Sequence, residues 1–482
     1  PMRSMIARGV APLLAALLLT ACAAPTFKQP AIDTPAAFKE AGAEVKTAPD
    51  GSVWRVARQA EQQPRGEWWL AFQDPRLTEL VDEATRNNAS LAVAAARVKQ
   101  ARAIAGIAQA DRVPQVGLGV QAQRVRPAAQ TSYSASLSAS YEVDLFGRVG
   151  ANIEAARQDA GASEASYRSV LLSLQADVAQ TWFRLRALDA ELGTVDSAVR
   201  LREESVRVNQ RRFDLGDIGE FDLTRARTEL SATRAEAIGL QLQHTNAEHA
   251  LAVLLGRPAA CFTAITSPLP DTVALPAIPA GLPSSLLERR PDIAAAQRAM
   301  EAANARIGVA RAAMFPALSL NAAGGGVGGT MADVFNWSSR SWVLGALLSL
   351  PIIDGGRNKA NVTRSEAVLE ESVAAYREQV LVAFAEVEDN LAGVRILAAQ
   401  GAQLDEAVRS ARRSAELARK LYDAGRSSYL DLLDAQRNLA TSERSAVQLR
   451  GNQALTTVAL IRALGGGWDA PAQEAAQPLA AR

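Results

Sequence analysis

Hydrophobic positions along this chain change period in a fixed order, and the order occurs twice. From about Val149 to Asp214 no proline interrupts, and Leu171, Leu174, Val178, Trp182, Leu185, Leu188, Leu192, Val195 and Val199 step by three and four. A mean step of about 3.5 is the seam of a coiled coil. Val380, Phe384, Val387, Leu391 and Val394 reproduce it further on. At 1.5 Å per residue, roughly 66 residues make a helix about 100 Å long. Shorter helices are expected at about 74–113 and 222–255; laid end to end they match the long helix and could stack beside it.

Before each long helical stretch the period falls to two. In "VGLGVQAQ" and "SYSASLSASYEVDLF", Val116, Leu118, Val120 and then Tyr133, Ala135, Leu137, Ala139, Tyr141, Val143 and Leu145 alternate with small or polar residues. That pattern predicts strands with one apolar face. "PALSLNAAGGGV" and "WVLGALLSLPII" hold the corresponding places with weaker alternation. The expected strands are about 115–125, 132–145, 317–327 and 341–353.

The correspondence can be counted. Leu91, Gly106 and Pro114 match Ile293, Gly308 and Pro316 at an offset of 202, whereas Gly147, Phe213, Gly216, Asp222 and Gly256 match Gly356, Tyr422, Gly425, Asp431 and Gly465 at 209. Constant offsets over so long a stretch indicate an internal duplication, with seven extra residues in the loop around "GGTMADVFNWSSR". The expected organisation is a first helix–hairpin–helix repeat at 74–257, a Pro-rich connector at 258–283 and a second repeat at 284–467. The tail, 468–482, lacks apolar periodicity and is expected to be disordered.

Composition sharpens this picture. Hydrophobic residues make up 48% of the 482 positions but aromatic residues only 5%, so the apolar mass is mostly Ala, Leu and Val, suited to closely packed helices. Arg3 and Arg8 precede an apolar run from Val10 to Leu19 of signal-peptide length, too short to span a bilayer. The run ends in "LTAC", which resembles a lipoprotein cleavage site: the resemblance implies that residues 1–21 are a signal peptide and that Cys22 would carry a lipid such as palmitate on a segment of 22–73. Ala23, where an aspartate would resemble inner-membrane retention, points to the outer membrane. Only Cys261 then remains, which excludes an intramolecular disulfide in the mature chain. Basic and acidic side chains number 52 and 51, and loss of Arg3 and Arg8 leaves a net charge near −1, with no general electrostatic reason to bind nucleic acid. Beyond the signal no apolar run reaches the ~18 residues of a transmembrane helix.

A membrane crossing would therefore use strands, and strands cross only as a closed barrel. Four strands cannot enclose a lumen, since small outer-membrane barrels have about eight. The chain is expected to oligomerise: a dimer would supply about eight strands and a trimer about twelve.

Several ordered motifs resemble those of the outer-membrane efflux channels of TolC/OprM type, in the lipoprotein branch serving resistance-nodulation-division pumps. They are "WWLAFQDPRL" (68–77), "SYEVDLFGRV" (140–149), "LERRPDIAAAQ" (287–297), "ARAAMFPALSL" (310–320), "PIIDGGRNKA" (351–360), "YLDLLDAQRNL" (429–439) and "ALGGGW" (463–468). The resemblance covers nearly the whole mature chain. It implies an α+β membrane channel: a homotrimer whose four strands per chain build one shared twelve-stranded barrel, continuous with a long α-helical periplasmic tunnel closed at its far end. It also implies a periplasmic adaptor and an inner-membrane proton-driven pump as partners. The implied function is passive exit of drugs or other small molecules, without an enzymatic step or a cofactor.

Both glycine turns, "DLGDIGEF" and "YDAGRSSYL", are expected at the periplasmic tips of this tunnel. Asp434 and Arg437 lie three apart on one helix face, which by itself reads as a solvated intrahelical ion pair worth roughly 0.2–0.5 kcal/mol. The resemblance assigns Asp434, Arg437 and Tyr422 to a constriction with intersubunit bonds. The first copy has Arg225, Thr228 and Phe213 there, without the acid or the phenol, and these are assigned a supporting role. Asp431 could join the ring, but its match Asp222 suggests a structural role at a helix start. Gly216, Asp217, Gly219, Gly425, Arg426 and Ser427 form the tips on which an adaptor would dock.

Other readings have less support. His244 and His249, five apart around Glu248, miss the spacing of a zinc helix and are expected to be exposed polar positions. "GGGVGG" (324–329) lacks the Lys-Ser/Thr of a phosphate loop and reads as a turn near a strand end. A periplasmic coiled-coil adaptor would not need two duplicated hairpins. A type I secretion duct for polypeptides shares the fold, and the lipobox and "ERRPDI" favour the small-molecule branch.

Overall fold

The computed structural model describes residues 26–32, 34–41, 66–126, 130–270, 275–276, 286–287 and 289–466. The signal peptide, Cys22, the tail from 468 and residues 271–274 and 277–283 of the proline-rich connector lie outside these residues. Seven α-helices and four strands alternate in two rounds among the described residues. The first round is α1 (Pro75–Asn87), α2 (Ala89–Ala110), β1 (Gln115–Val125), β2 (Gln130–Val143), α3 (Arg148–Asp214) and α4 (Glu220–Leu254). The second is α5 (Pro291–Ala312), β3 (Ala317–Gly328), β4 (Arg340–Ser349), α6 (Arg357–Asp423) and α7 (Tyr429–Ala463).

The duplication extends to element lengths. α3 and α6 each have 67 residues, α4 and α7 each 35, α2 and α5 each 22. The extra residues lie between β3 and β4, where Asp333–Phe335 and Trp337–Ser339 form two short 3₁₀ turns. Gly324, Gly325, Gly326 and Gly328, expected at a turn, belong to β3 itself, and of that run only Gly329 lies beyond the strand.

Aspartates start both long helices. Asp144 accepts hydrogen bonds from the Val149 and Gly150 amides (2.9 and 2.8 Å), and Asp354 accepts from those of Gly356 and Asn358 (2.9 and 3.0 Å). These turns end β2 at Val143, before Leu145, and keep Ile352 and Ile353 out of β4.

The continuous helix expected at 74–113 is broken at Asn88. Its buried amide donates to the Leu254 carbonyl (2.9 Å) while its carbonyl oxygen accepts from the Leu91 amide (3.0 Å), ending α1 and starting α2. Upstream, Trp68 and Trp69 are buried, and Asp74 caps α1 through the Arg76 and Leu77 amides (3.0 and 3.1 Å). Its second oxygen accepts from Trp182 Nε1 and Arg186 Nη1, both at 2.8 Å, which fastens α1 to α3. In "ERRPDI", Arg290 donates to Glu386 (2.5 Å) and to the Ala463 carbonyl (3.1 Å).

The chain divides into two compact units. One holds the four-stranded sheet with Ala94–Ser166 and Asp292–Val380; Val149, Ile153, Ala156 and Ala108 form a small core in it. The other holds Tyr167–Pro291 and Leu381 onward, with Thr34–Val93. Its core is the α3 seam: Leu174, Val178, Trp182, Leu185, Leu188 and Val195 are buried against α1, α4 and α7 residues such as Leu80, Leu251 and Ile461. Each such side chain contributes about 1.5–3 kcal/mol on burial. The second seam is thinner: Val380 and Val387 are buried, whereas Val394 is exposed. Among the described residues no helix is long and apolar enough to cross a membrane.

Candidate functional site

In the first unit the strands form one antiparallel meander, β1-β2-β3-β4. Register settles the two faces, because directly paired residues point the same way. Leu118 pairs with Leu137, Tyr141 with Leu320 and Ala322 with Leu344, so one face carries Val116, Leu118, Val120, Leu137, Leu320, Leu344 and Leu348. Tyr133, Tyr141 and Trp342 lie toward its ends. The opposite face pairs Gln121 with Ser134, Gly117 with Ser138 and Ser140 with Asn321. Glu142, its one ionisable side chain among the strand residues, accepts from Arg148 Nε (2.7 Å). A face for hydrocarbon and a face for water are what a barrel wall requires. Both edge strands, β1 and β4, are exposed throughout, so their outer hydrogen-bonding groups are open to pairing with another chain.

In the second unit the α3–α4 and α6–α7 turns have one backbone design. Gly216 and Gly425 adopt φ of +80° and +66°, and the Asp217 and Arg426 amides reach back to the Arg212 and Leu421 carbonyls (2.8 Å each). This is a Schellman close, for which a glycine in the left-handed region is suited. The next helices begin differently. Gly219 starts α4 without a side-chain cap, whereas Ser428 caps α7 in a capping box with Asp431. The Ser428 hydroxyl and then its amide hold the Asp431 carboxyl below its usual range. Asp431 is thus bound to its own helix start.

The residues beyond the caps form clasps between the copies. Tyr422 accepts from Arg212 Nη1 at 2.7 Å, with the guanidinium 5.4 Å from its ring centre. Tyr429 shares a hydrogen bond with Ser205 (3.0 Å) and packs with Ala226 and Leu433. Arg437 forms a two-pronged pair with Glu229, its Nε 2.9 Å from one carboxylate oxygen. Arg437 thus turns away from Asp434, and the intrahelical pair is not formed. Higher up, Arg444 joins Glu191 (2.5 Å) and Glu236.

Asp434 is exposed, with one hydrogen bond among the described residues, from Asn438 at 3.3 Å. It lines a groove with Leu417, Leu421, Leu430 and Asp431. In the first copy Thr228 bonds back to the Thr224 carbonyl (2.9 Å), Arg225 is half-buried and Phe213 is exposed. Asp217, Gly219 and Arg426 are exposed at the turns, and Ser427 is half-buried.

Sequence reasoning missed Arg212, Glu229 and Glu236. Their partners lie 210, 208 and 208 positions away, close to the repeat offset. Copies packed side by side in register bring residue i near residue i + 209, so the offset itself was a usable signal. His244 also departs from expectation: it is half-buried, 3.1 Å from Asp189. Among the described residues no cluster of His, Cys, Asp and Glu suited to a metal ion occurs.

Known proteins share this architecture. The family described as outer membrane efflux protein matches residues 80–257 and 282–466, one stretch per repeat. The outer membrane protein OprJ of Pseudomonas aeruginosa is 36% identical, with 96% of each chain covered. The pyoverdine export outer membrane protein OpmQ of Pseudomonas putida is 34% identical, covering 94% of this chain and 96% of its own. The solved outer-membrane channel OprN superposes with a TM-score of 0.82 at 28% identity, over 93% of this chain and 99% of that one. The fold is that of trimeric channels in which a helical tunnel joins a barrel shared by three chains. A chain matched in both repeats and over nine-tenths of its length in this way belongs to the outer membrane efflux protein family and serves as an outer-membrane exit duct of an efflux system.

Proposed function

We propose that this duct carries small molecules passively outward from an inner-membrane pump of the resistance-nodulation-division type, joined to it by a periplasmic adaptor, and that the tips of the second repeat are its gate. The observation that carries the gate is the pair of clasps Arg437–Glu229 and Arg212–Tyr422, which tie the two tips of one chain together. Charge-assisted, geometrically matched bonds of this kind hold a conformation at modest cost while remaining exchangeable for a partner's groups. Asp434 is exposed beside the apolar strip of Leu417, Leu421 and Leu430, and in this reading it takes a donor from the next chain. Three such carboxylates gathered near an axis repel one another unless donors compensate them. Opening is then a population shift driven by a partner that binds the splayed tips better, and no bond is made or broken in the cargo. Acylation of Cys22 would add a lipid anchor to the barrel.

Single-channel conductance in planar bilayers tests the gate, comparing the wild type with the Asp434→Ala, Arg437→Ala double variant. A small wild-type current that rises severalfold in the variant is the expected result. Equal conductance in both removes the gate and leaves the duct.

A further inference from the structure

Arg202, on α3, is 4% exposed. Its one hydrogen bond goes from Nη1 to the neutral Gln436 Oε1, at 3.0 Å, and among the described residues no carboxylate lies within ion-pair distance of it. A guanidinium stays ionised in proteins, and a buried charge without a counter-charge is costly. Burial pushes its pKa down and nearby Arg437 pushes it further, offset only by the Tyr429 phenol.

The acids around it are committed elsewhere. Glu229 is held by Arg437, and Glu191 and Glu236 by Arg444. None of the Arg202 nitrogens is both sealed from solvent and unpartnered, so the donors not given to Gln436 open on space. That space is a cavity of about 460 Å³, whose polar wall is Thr194, Thr233, Thr441, Ser445 and Gln448 together with the Glu229–Arg437 and Glu236–Arg444 pairs. Hydroxyls and an amide can solvate an anion by donating hydrogen bonds, and carboxylates already bonded to arginines repel it less than free ones would.

We propose that this cavity binds a small inorganic anion of halide size on the Arg202 guanidinium. The bound anion completes the charge balance of the seam between α3, α4 and α7 and stabilises that seam. The site adjoins the gate clasp, since Arg437 and Glu229 line the same cavity, but its ligand answers to Arg202 and Gln436, and neither Asp434 nor Tyr422 takes part.

The test uses the full chain as a purified trimer. Crystals soaked in sodium bromide should show an anomalous bromine peak at hydrogen-bond distance from Arg202. In solution, replacing gluconate by bromide at constant ionic strength should raise the melting temperature by a few degrees. Arg202→Met should abolish that rise. Gln436→Glu, which supplies a carboxylate in place of the anion, should abolish it too while keeping the protein folded. A well-ordered Arg202 without a peak, a bromide response unchanged in Gln436→Glu, or a carboxylate from a neighbouring chain seated on the guanidinium would each overturn the proposal.

Discussion

The two hairpin tips share a backbone and differ in nearly every polar contact. α3 and α6, and likewise α4 and α7, agree in length to the residue, and both turns close on a left-handed glycine with the same two reaching amides. Yet one copy supplies Glu229, Arg212 and Ser205, and the other Arg437, Tyr422 and Tyr429. Identical copies could not do this, because neighbours at one level would then present the same charges. Duplication fixed the scaffold, and divergence made the two tips able to bind each other.

The sharpest test of scaffold equivalence lies at the other ends of α4 and α7. Gly256 and Gly465 both have positive φ, +72° and +91°. A Cβ on Gly256 would stand 2.4 Å from the Asn87 carbonyl oxygen, and one on Gly465 2.9 Å from that of Arg289. Gly256→Ala should cost more than about 2 kcal/mol, backbone strain and overpacking together, and Gly465→Ala less, about 1–2 kcal/mol. The melting temperatures of the two variants check the order; equal shifts would mean that the close approach is relieved in one copy.

Exchanging side chains at the tips probes the divergence. Tyr422→Phe makes the second tip resemble the first and removes the acceptor of Arg212, an expected loss of about 1 kcal/mol. Phe213→Tyr adds a hydroxyl to an exposed ring and should change stability by less than about 0.5 kcal/mol. Calorimetry on the pair would break the comparison if the two changes proved alike.

The helix starts differ by a cap, and exchanging it moves stability by about 1 kcal/mol or less. Ser428→Ala should cost about 1 kcal/mol, and Gly219→Ser should gain only a few tenths. The cap is also sensitive to pH. Its bonds hold the Asp431 carboxyl below the usual range, so their contribution is present above the unfolded pKa of about 4 and is lost as pH falls through the folded value. The melting-temperature difference between wild type and Ser428→Ala should therefore shrink on acidification below about pH 4. A difference that stayed constant would detach the cap from the Asp431 charge.

Much of this was legible in one dimension. Period 3.5 against period 2 located the long helices and the strands, since burying one face of either element imposes its own spacing. The two offsets located the duplication and the inserted loop. Breaks made by a single side chain were not legible: Asn88 ends one helix and starts another only because the Leu254 carbonyl is there to receive its amide.

The sequence by itself determined the elements, their repetition, the apolar and polar alternation of each strand and the glycine turns, because these depend on neighbours a few residues away. Tertiary structure alone decided which partner each ionic side chain took. Arg437 had an acid three residues away on its own helix and chose Glu229 on another, and Arg202 was buried with no acid of the described residues within ion-pair distance. An exposed pair three residues apart gains only a few tenths of a kcal/mol, too little to hold an arginine against a two-pronged carboxylate on a packed neighbour.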